Sequence, residues 1–97
     1  MIYICGKISS YRFSKIKKNV DRFIEAEKAL KALGHQVINP ATEQPQGKSW
    51  DWYMVRSNEF MLKNKPICYF LKNWKKSKGA RFEHEMAYYL GLIIIYQ

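Results

Sequence analysis

Cysteine, proline and acid are all scarce in this sequence. Its 97 residues include two cysteines, three prolines and eight Asp and Glu against 17 Lys and Arg. Cys5 and Cys68 lie far apart, each within an apolar run, and neither forms a Cys-x-x-Cys pair. His35 and His84 stand at no metal-ligand spacing with them, so no metal site is expected. The two thiols read as buried and free, in a reducing compartment. The longest apolar run near the end, Leu92 to Tyr96, is far too short to span a membrane. The opening Met1-Ile2-Tyr3-Ile4 has neither a basic region nor a long apolar stretch, which leaves secretion and mitochondrial import without support. A cytosolic protein without a membrane partner is the expectation. No internal repeat or low-complexity segment occurs.

What is present suits a packed globule. Hydrophobic residues make up 47% and aromatics 15% of the chain, a composition unlike that of disordered segments. The length fits one domain, residues 1–97, with a modest core that buries roughly two thirds of the unfolded surface. The formal net charge of +9 suits a polyanionic partner or a phosphorylated ligand, or else a solvated surface.

Residues 2–5 form a short apolar run stopped by Gly6, which predicts a strand. A basic, Ser-rich stretch from Lys7 to Lys18 follows, and then Val20, Phe23, Ile24, Leu30 and Leu33 recur at helical spacing. Gly34 is placed to end that helix in a left-handed cap. Val37-Ile38 is a second strand, ended by Pro40, and residues 42–48 read as a polar loop. Ser49 is an N-cap before Trp50, Tyr53, Met54, Phe60 and Met61, an apolar helical face that runs to about Asn64. Ile67 to Leu71 is a continuous apolar run, as in a strand covered on both faces. A third helix begins at Gly79-Ala80 and closes at Gly91, before a last strand over Leu92 to Tyr96. Strand and helix alternate, which predicts a three-layer α/β sandwich: four parallel strands and three helices with right-handed crossovers.

Such sheets bind ligands beyond the carboxyl ends of their strands. Here those ends are Gly6 to Tyr11, Asn39-Pro40-Ala41 and Asn73 to Gly79. Gly79 permits a tight turn into a helix whose first N–H groups are free for an anion, and Ser77 and Lys78 can add a hydroxyl and a charge. Glu83 lies one turn further on. A carboxylate there can attack a sugar carbon in N-glycosidic cleavage, or simply complement the helix dipole. Its neighbours His84 and Glu85 are expected to face solvent. Tyr11 and Trp74 can stack on a base, and Trp74 can equally cover the core. Lys7 and Ser9 can touch a phosphate or hydroxyl, and Asn39 can bind ligand or cap the turn before Pro40. The basic loops, Arg12 to Lys18 with Phe13 and Lys72 to Lys78 with Trp74, mix cations with aromatics as single-stranded nucleic-acid binders do.

Taken together these residues resemble a family. Met1-Ile2-Tyr3-Ile4-Cys5-Gly6-Lys7-Ile8-Ser9 is similar to the opening strand and loop of nucleoside 2-deoxyribosyltransferase-like proteins. The first helix and second strand are matched by Phe23, Ala26-Glu27, Leu30, Gly34, Val37 and Asn39-Pro40. Trp74, Ser77-Lys78-Gly79-Ala80, Glu83, Ala87 and Gly91 match the last crossover, with its Gly-x-x-x-Glu. More closely, Asn39, Trp50 to Met54 and Trp74 to Ala80 resemble a short phage and bacterial branch of unknown function, domain-family number 4406.

The resemblance implies a flavodoxin-like or Rossmann-like sheet of order 2-1-3-4. It also implies a nucleoside or nucleotide ligand, Glu83 as nucleophile, and a homo-oligomer whose sites a neighbouring subunit completes. No cofactor is expected. One departure stands out: the transferases carry acids near the end of the third strand and ahead of the Gly-x-x-x-Glu helix. Here no acid lies between Glu59 and Glu83, and Lys72 to Lys76 is basic. Asp51 is the one substitute within reach, if the second helix approaches the crevice. The expectation is an N-glycosidic-bond enzyme whose site draws on Gly6, Lys7, Ser9, Asn39, Trp74, Ser77, Lys78, Gly79 and Glu83. The alternative is a silent nucleotide-sequestering module, or less so a basic nucleic-acid adaptor.

Overall fold

The computed structural model describes residues 1–10 and 12–97, with the Phe13 side chain also outside the description. Four strands form one all-parallel sheet in the order β2-β1-β3-β4. They are β1 (Ile2–Cys5), β2 (Val37–Ile38), β3 (Ile67–Phe70) and β4 (Ile94–Tyr96). Register runs straight across the sheet, with Ile2 opposite Val37 and Ile67, and Cys68 opposite Ile94. Three long helices make the crossovers: α1 (Phe13–Ala32), α3 (Trp50–Asn64) and α4 (Lys78–Tyr89).

Period-two alternation along β1 divides the core in two. Ile2 and Ile4 point to one face, where they pack with Phe23, Ala26 and Leu30 of α1. Tyr3 and Cys5 point to the other, against Met61 of α3, Ala87 of α4 and Cys68 and Phe70 of β3. Both cysteines are buried and free. The second core is closed at its rim by half-buried Trp74, Leu90 and Leu92.

Local signals explain the boundaries. Gly34 and Gly91 sit at positive φ, 91° and 68°, just past the C-caps of α1 and α4, a conformation that costs a side chain but not glycine. The Ser49 hydroxyl accepts from Trp52 N–H at 3.1 Å at the head of α3.

Three details differ from the periodicity. Helix α1 starts at Phe13 and takes in the second half of the basic stretch expected to precede it, residues 13–18, because lysine-rich sequence without Gly or Pro propagates a helix readily. A four-residue helix α2 (Pro40–Glu43) follows Asn39, since Pro at the first position has its φ preset and its missing N–H is not needed there. A 3₁₀ turn, Trp74–Lys76, shortens the basic loop before α4. Among the described residues no helix is long and apolar enough to cross a membrane.

Met61 is fully buried while its neighbour Leu62 is half exposed, at 51%. Met61→Ala is therefore expected to cost about 2–5 kcal/mol in urea unfolding, and Leu62→Ala only a few tenths. Equal losses at the two positions would contradict this placement of α3.

Candidate functional site

Along α4 the buried positions are Ala80, Glu83 and Ala87, spaced so that all three face inward. The small side chains on either side let the helix approach the sheet and α3 closely, and Glu83 is carried with them to 7% exposure. At the helix start a Cβ on Gly79 would stand 3.0 Å from Met54 Cε, so glycine there lets α4 close on the first turns of α3.

A buried carboxyl needs hydrogen-bond partners, and two hydroxyls supply them. Tyr3, from the central strand, donates to Glu83 Oε2 at 3.2 Å. Ser57, from the buried face of α3, donates to the same oxygen, and the two hydroxyls lie 3.4 Å apart. Both hydroxyls thus sit on Oε2, and the Cys5 thiol also lies against the carboxyl. Burial pushes the Glu83 carboxyl up to about 7, against the opposing pull of the Ser57, Tyr3 and Cys5 side chains. Burial likewise raises the Tyr3 hydroxyl and the Cys5 thiol well above their ordinary values, with the nearby Glu83 charge adding to both. Both therefore stay protonated at neutral pH.

Glu83 forms part of the wall of a cavity of about 350 Å³ at the carboxyl edge of the sheet. Its size suits a small-molecule ligand. The loop after β1 lines one side through Gly6, Ile8 and Ser9. Helix α3 supplies Trp50, Tyr53 and Met54, and the start of α4 supplies Ser77, Lys78 and Gly79. The segment 44–48 closes the remaining side. Tyr53 fixes that segment, donating to Pro45 O at 2.7 Å and accepting from Lys48 N–H at 3.1 Å. Lys78 lies 4.2 Å above the Trp50 ring at the mouth.

Of the residues expected to line a site, Gly6, Ser9, Ser77, Lys78, Gly79 and Glu83 meet in this cavity. The Ser77 hydroxyl is engaged as N-cap, accepting from Ala80 N–H at 3.1 Å, while the Lys78 and Gly79 N–H groups lie ahead of the first intrahelical bond. Three others lie outside it. Lys7 ties two loops together, its N–H on Asn73 Oδ1 at 3.3 Å and its Nζ on Lys76 O at 3.4 Å. Asn39 is wholly buried as the N-cap of α2, accepting from Ala41 N–H and donating to Glu27 Oε1, both at 3.0 Å. Trp74 stacks on His84, with ring centroids 4.3 Å apart. Tyr11 lies outside the described residues.

Asp51 is exposed and does not line the cavity. Glu85 is exposed as expected, while His84 is half-buried: it stacks on Trp74 and lies 2.5 Å from the Tyr96 hydroxyl. Tyr3 and Ser57 were not singled out by motif. Ser57 did leave a signal, since it falls three residues after Met54 and four before Met61, a lone hydroxyl in an apolar stripe. Among the described residues no cluster of three His, Cys, Asp or Glu side chains is placed to hold a metal.

Fold and cavity together define a parallel α/β protein with a single buried carboxyl in the crevice at its carboxyl edge. The chain belongs to the family described as domain of unknown function (DUF4406), whose model matches residues 1–96. No curated protein and no solved structure matches it.

The raised carboxyl carries a stability consequence. Between the ordinary value of 4.5 and about 7 the unfolded chain gives up the Glu83 proton while the folded chain keeps it, so stability falls as pH rises through that window. The loss amounts to about 3 kcal/mol above it. Glu83→Gln, which keeps an acceptor for Tyr3 and Ser57, is expected to melt higher than wild type at about pH 9 and equally at about pH 4. A pH-independent difference in melting temperature would refute the buried, proton-holding carboxyl.

Proposed function

We propose that this protein acts on the N-glycosidic bond of a nucleoside or nucleotide, as a deoxyribosyltransferase or an N-hydrolase, with Glu83 as nucleophile. The observation that carries the reading is the Glu83 carboxyl, buried in a ligand-sized cavity with both hydroxyl bonds on Oε2. Oε1, which neither hydroxyl holds, is the oxygen that reacts. It attacks the anomeric carbon as the carbon–nitrogen bond breaks, and that bond's electron pair leaves with the base, which takes a proton from solvent. Water or a second base then attacks the same carbon and returns the carboxylate. Tyr53 and Trp50 offer aromatic faces to a base, and Lys48, Lys78 and the start of α4 offer charge and N–H groups to an anionic substituent.

The resemblance to nucleoside 2-deoxyribosyltransferase-like proteins supports the same assignment through Gly79-x-x-x-Glu83. A cytoplasmic homo-oligomer belongs to this reading. One observation favours the sequestering module instead: Glu83 is the only acid among the described residues of the cavity wall, so no second carboxyl stands ready to protonate the leaving base.

Mass-spectrometric detection of free base, from a pooled panel of nucleosides and nucleotides, separates the two. The enzyme releases base at a rate that rises through about pH 7 as Glu83 ionises, and Glu83→Ala lowers that rate about 10³-fold or more. Equal turnover by the two proteins would remove Glu83 from the chemistry. Silence from both, with a nucleotide raising the wild-type melting temperature, would establish the sequestering module.

A further inference from the structure

One group of residues is left unused by the cavity. The loop after β3 carries Lys72, Lys75 and Lys76, and α4 carries Arg81, none of which lines the Glu83 cavity. Arg22 of α1 joins them, sharing a separate cleft of about 340 Å³ with Lys72, Asn73 and Gln97. The band is continuous. Lys72 N–H donates to Gln97 Oε1 at 3.1 Å, next to Tyr96, and Arg81 Nη1 donates to Lys75 O at 2.7 Å.

Between the two cationic ends lies a group of rings. Trp74 and His84 stack at 4.3 Å with 17° between their planes, and His84 Nε2 lies 2.5 Å from the Tyr96 hydroxyl. Tyr96 is 56% exposed and presents a ring to solvent, and Lys75 Nζ stands 5.8 Å from the Trp74 ring.

These cations have no counter-ions of their own. Among the described residues the sole ion pair within 4 Å is Lys31–Glu27, on the far part of α1. From Lys72 to the end of the chain the acids are Glu83, which is buried, and Glu85, which is exposed one residue after His84. A row of unpaired cations attracts a polyanion, and exposed aromatic rings among them give unpaired bases a surface to stack on. Anionic lipid would satisfy the charges but makes no use of the stacked rings. A duplex would hide its bases from them.

We infer that this band is a binding surface for single-stranded nucleic acid, in which Arg22, Lys72, Lys75 and Arg81 contact phosphates and Tyr96, backed by the His84–Trp74 stack, receives a base. Its α4 members, Arg81 and His84, lie on a different face of that helix from Glu83.

The test is fluorescence anisotropy of a labelled single-stranded oligothymidine of about 15 nucleotides, titrated with the full chain at several salt concentrations. Binding is expected to weaken with salt, at a slope of about −0.7 in log–log terms for each phosphate contacted. The combined variant Lys72→Gln, Lys75→Gln, Arg81→Gln should reduce that slope and raise the dissociation constant at least tenfold, on the order of a counter-ion release effect. Tyr96→Ala, at an exposed position, should weaken binding about tenfold with the slope unchanged. Glu83→Gln should bind as wild type. Salt-insensitive binding, wild-type affinity in the charge variant, or binding to phosphatidylserine vesicles without binding to the oligonucleotide would each overturn the proposal. So would loss of oligonucleotide binding in Glu83→Gln, which would move the strand to the cavity.

Discussion

Taking the Glu83 carboxyl out of water is costly, and three separate parts of the chain have to be in place to offset it. Tyr3 comes from the central strand, Ser57 from α3, and Glu83 itself from α4, the first and the last 80 positions apart. An isolated buried carboxylate is strongly unfavourable, so the group keeps its proton to about 7 and takes two hydroxyl donors on one oxygen. Ala80 and Ala87 make room for α4 to sit low on the sheet, and Gly79 lets its first turn meet Met54. The cavity is a result of the same arrangement, because the helix that buries Glu83 also opens the crevice beside it. A structure optimised for stability alone would place an apolar side chain there.

Helix α4 divides the chemistry of the molecule. On its inward stripe are small residues and one acid, facing a largely apolar cavity. About 100° round the helix, His84 leans on Trp74 and Tyr96 among basic side chains. The net charge of +9 is therefore not spread evenly: among the described residues Glu83 is the one acid of the cavity wall, while Lys72, Lys75 and Arg81 run uninterrupted by acid on another side. The acid-bearing cavity wall and the basic, aromatic band are thus separated on α4 by one helical step.

Much of the architecture was legible in residue order. Alternating strand and helix signals, Gly34 and Gly91 at helix ends, and Ser49 at a helix start all act through neighbours in sequence, so local physics decides them. The apolar run at residues 2–5 read as a strand and the run at 67–71 as a strand covered on both faces, and the sheet is packed on both sides. What local signals could not resolve was the competition at element edges. The basic segment from Phe13 to Lys18 carries few apolar residues, yet it belongs to α1, because nothing in it stops a helix already nucleated downstream.

The site divides in the same way. Sequence by itself determined that Glu83 would stand a turn into a helix at the carboxyl edge, together with Gly6, Ser9 and the Ser77–Gly79 start, since topology alone carries those segments to one place. Only the tertiary structure decided what surrounds the carboxyl. Tyr3 and Ser57 reach it from elements far away in the chain, and Asn39, Lys7 and Trp74 turn to capping, loop-tying and stacking instead. The reason is physical: a residue's place on a strand or helix follows from spacing, but which side chains share a low-dielectric pocket depends on how closely helices pack, and that closeness was set here by an alanine stripe and one glycine.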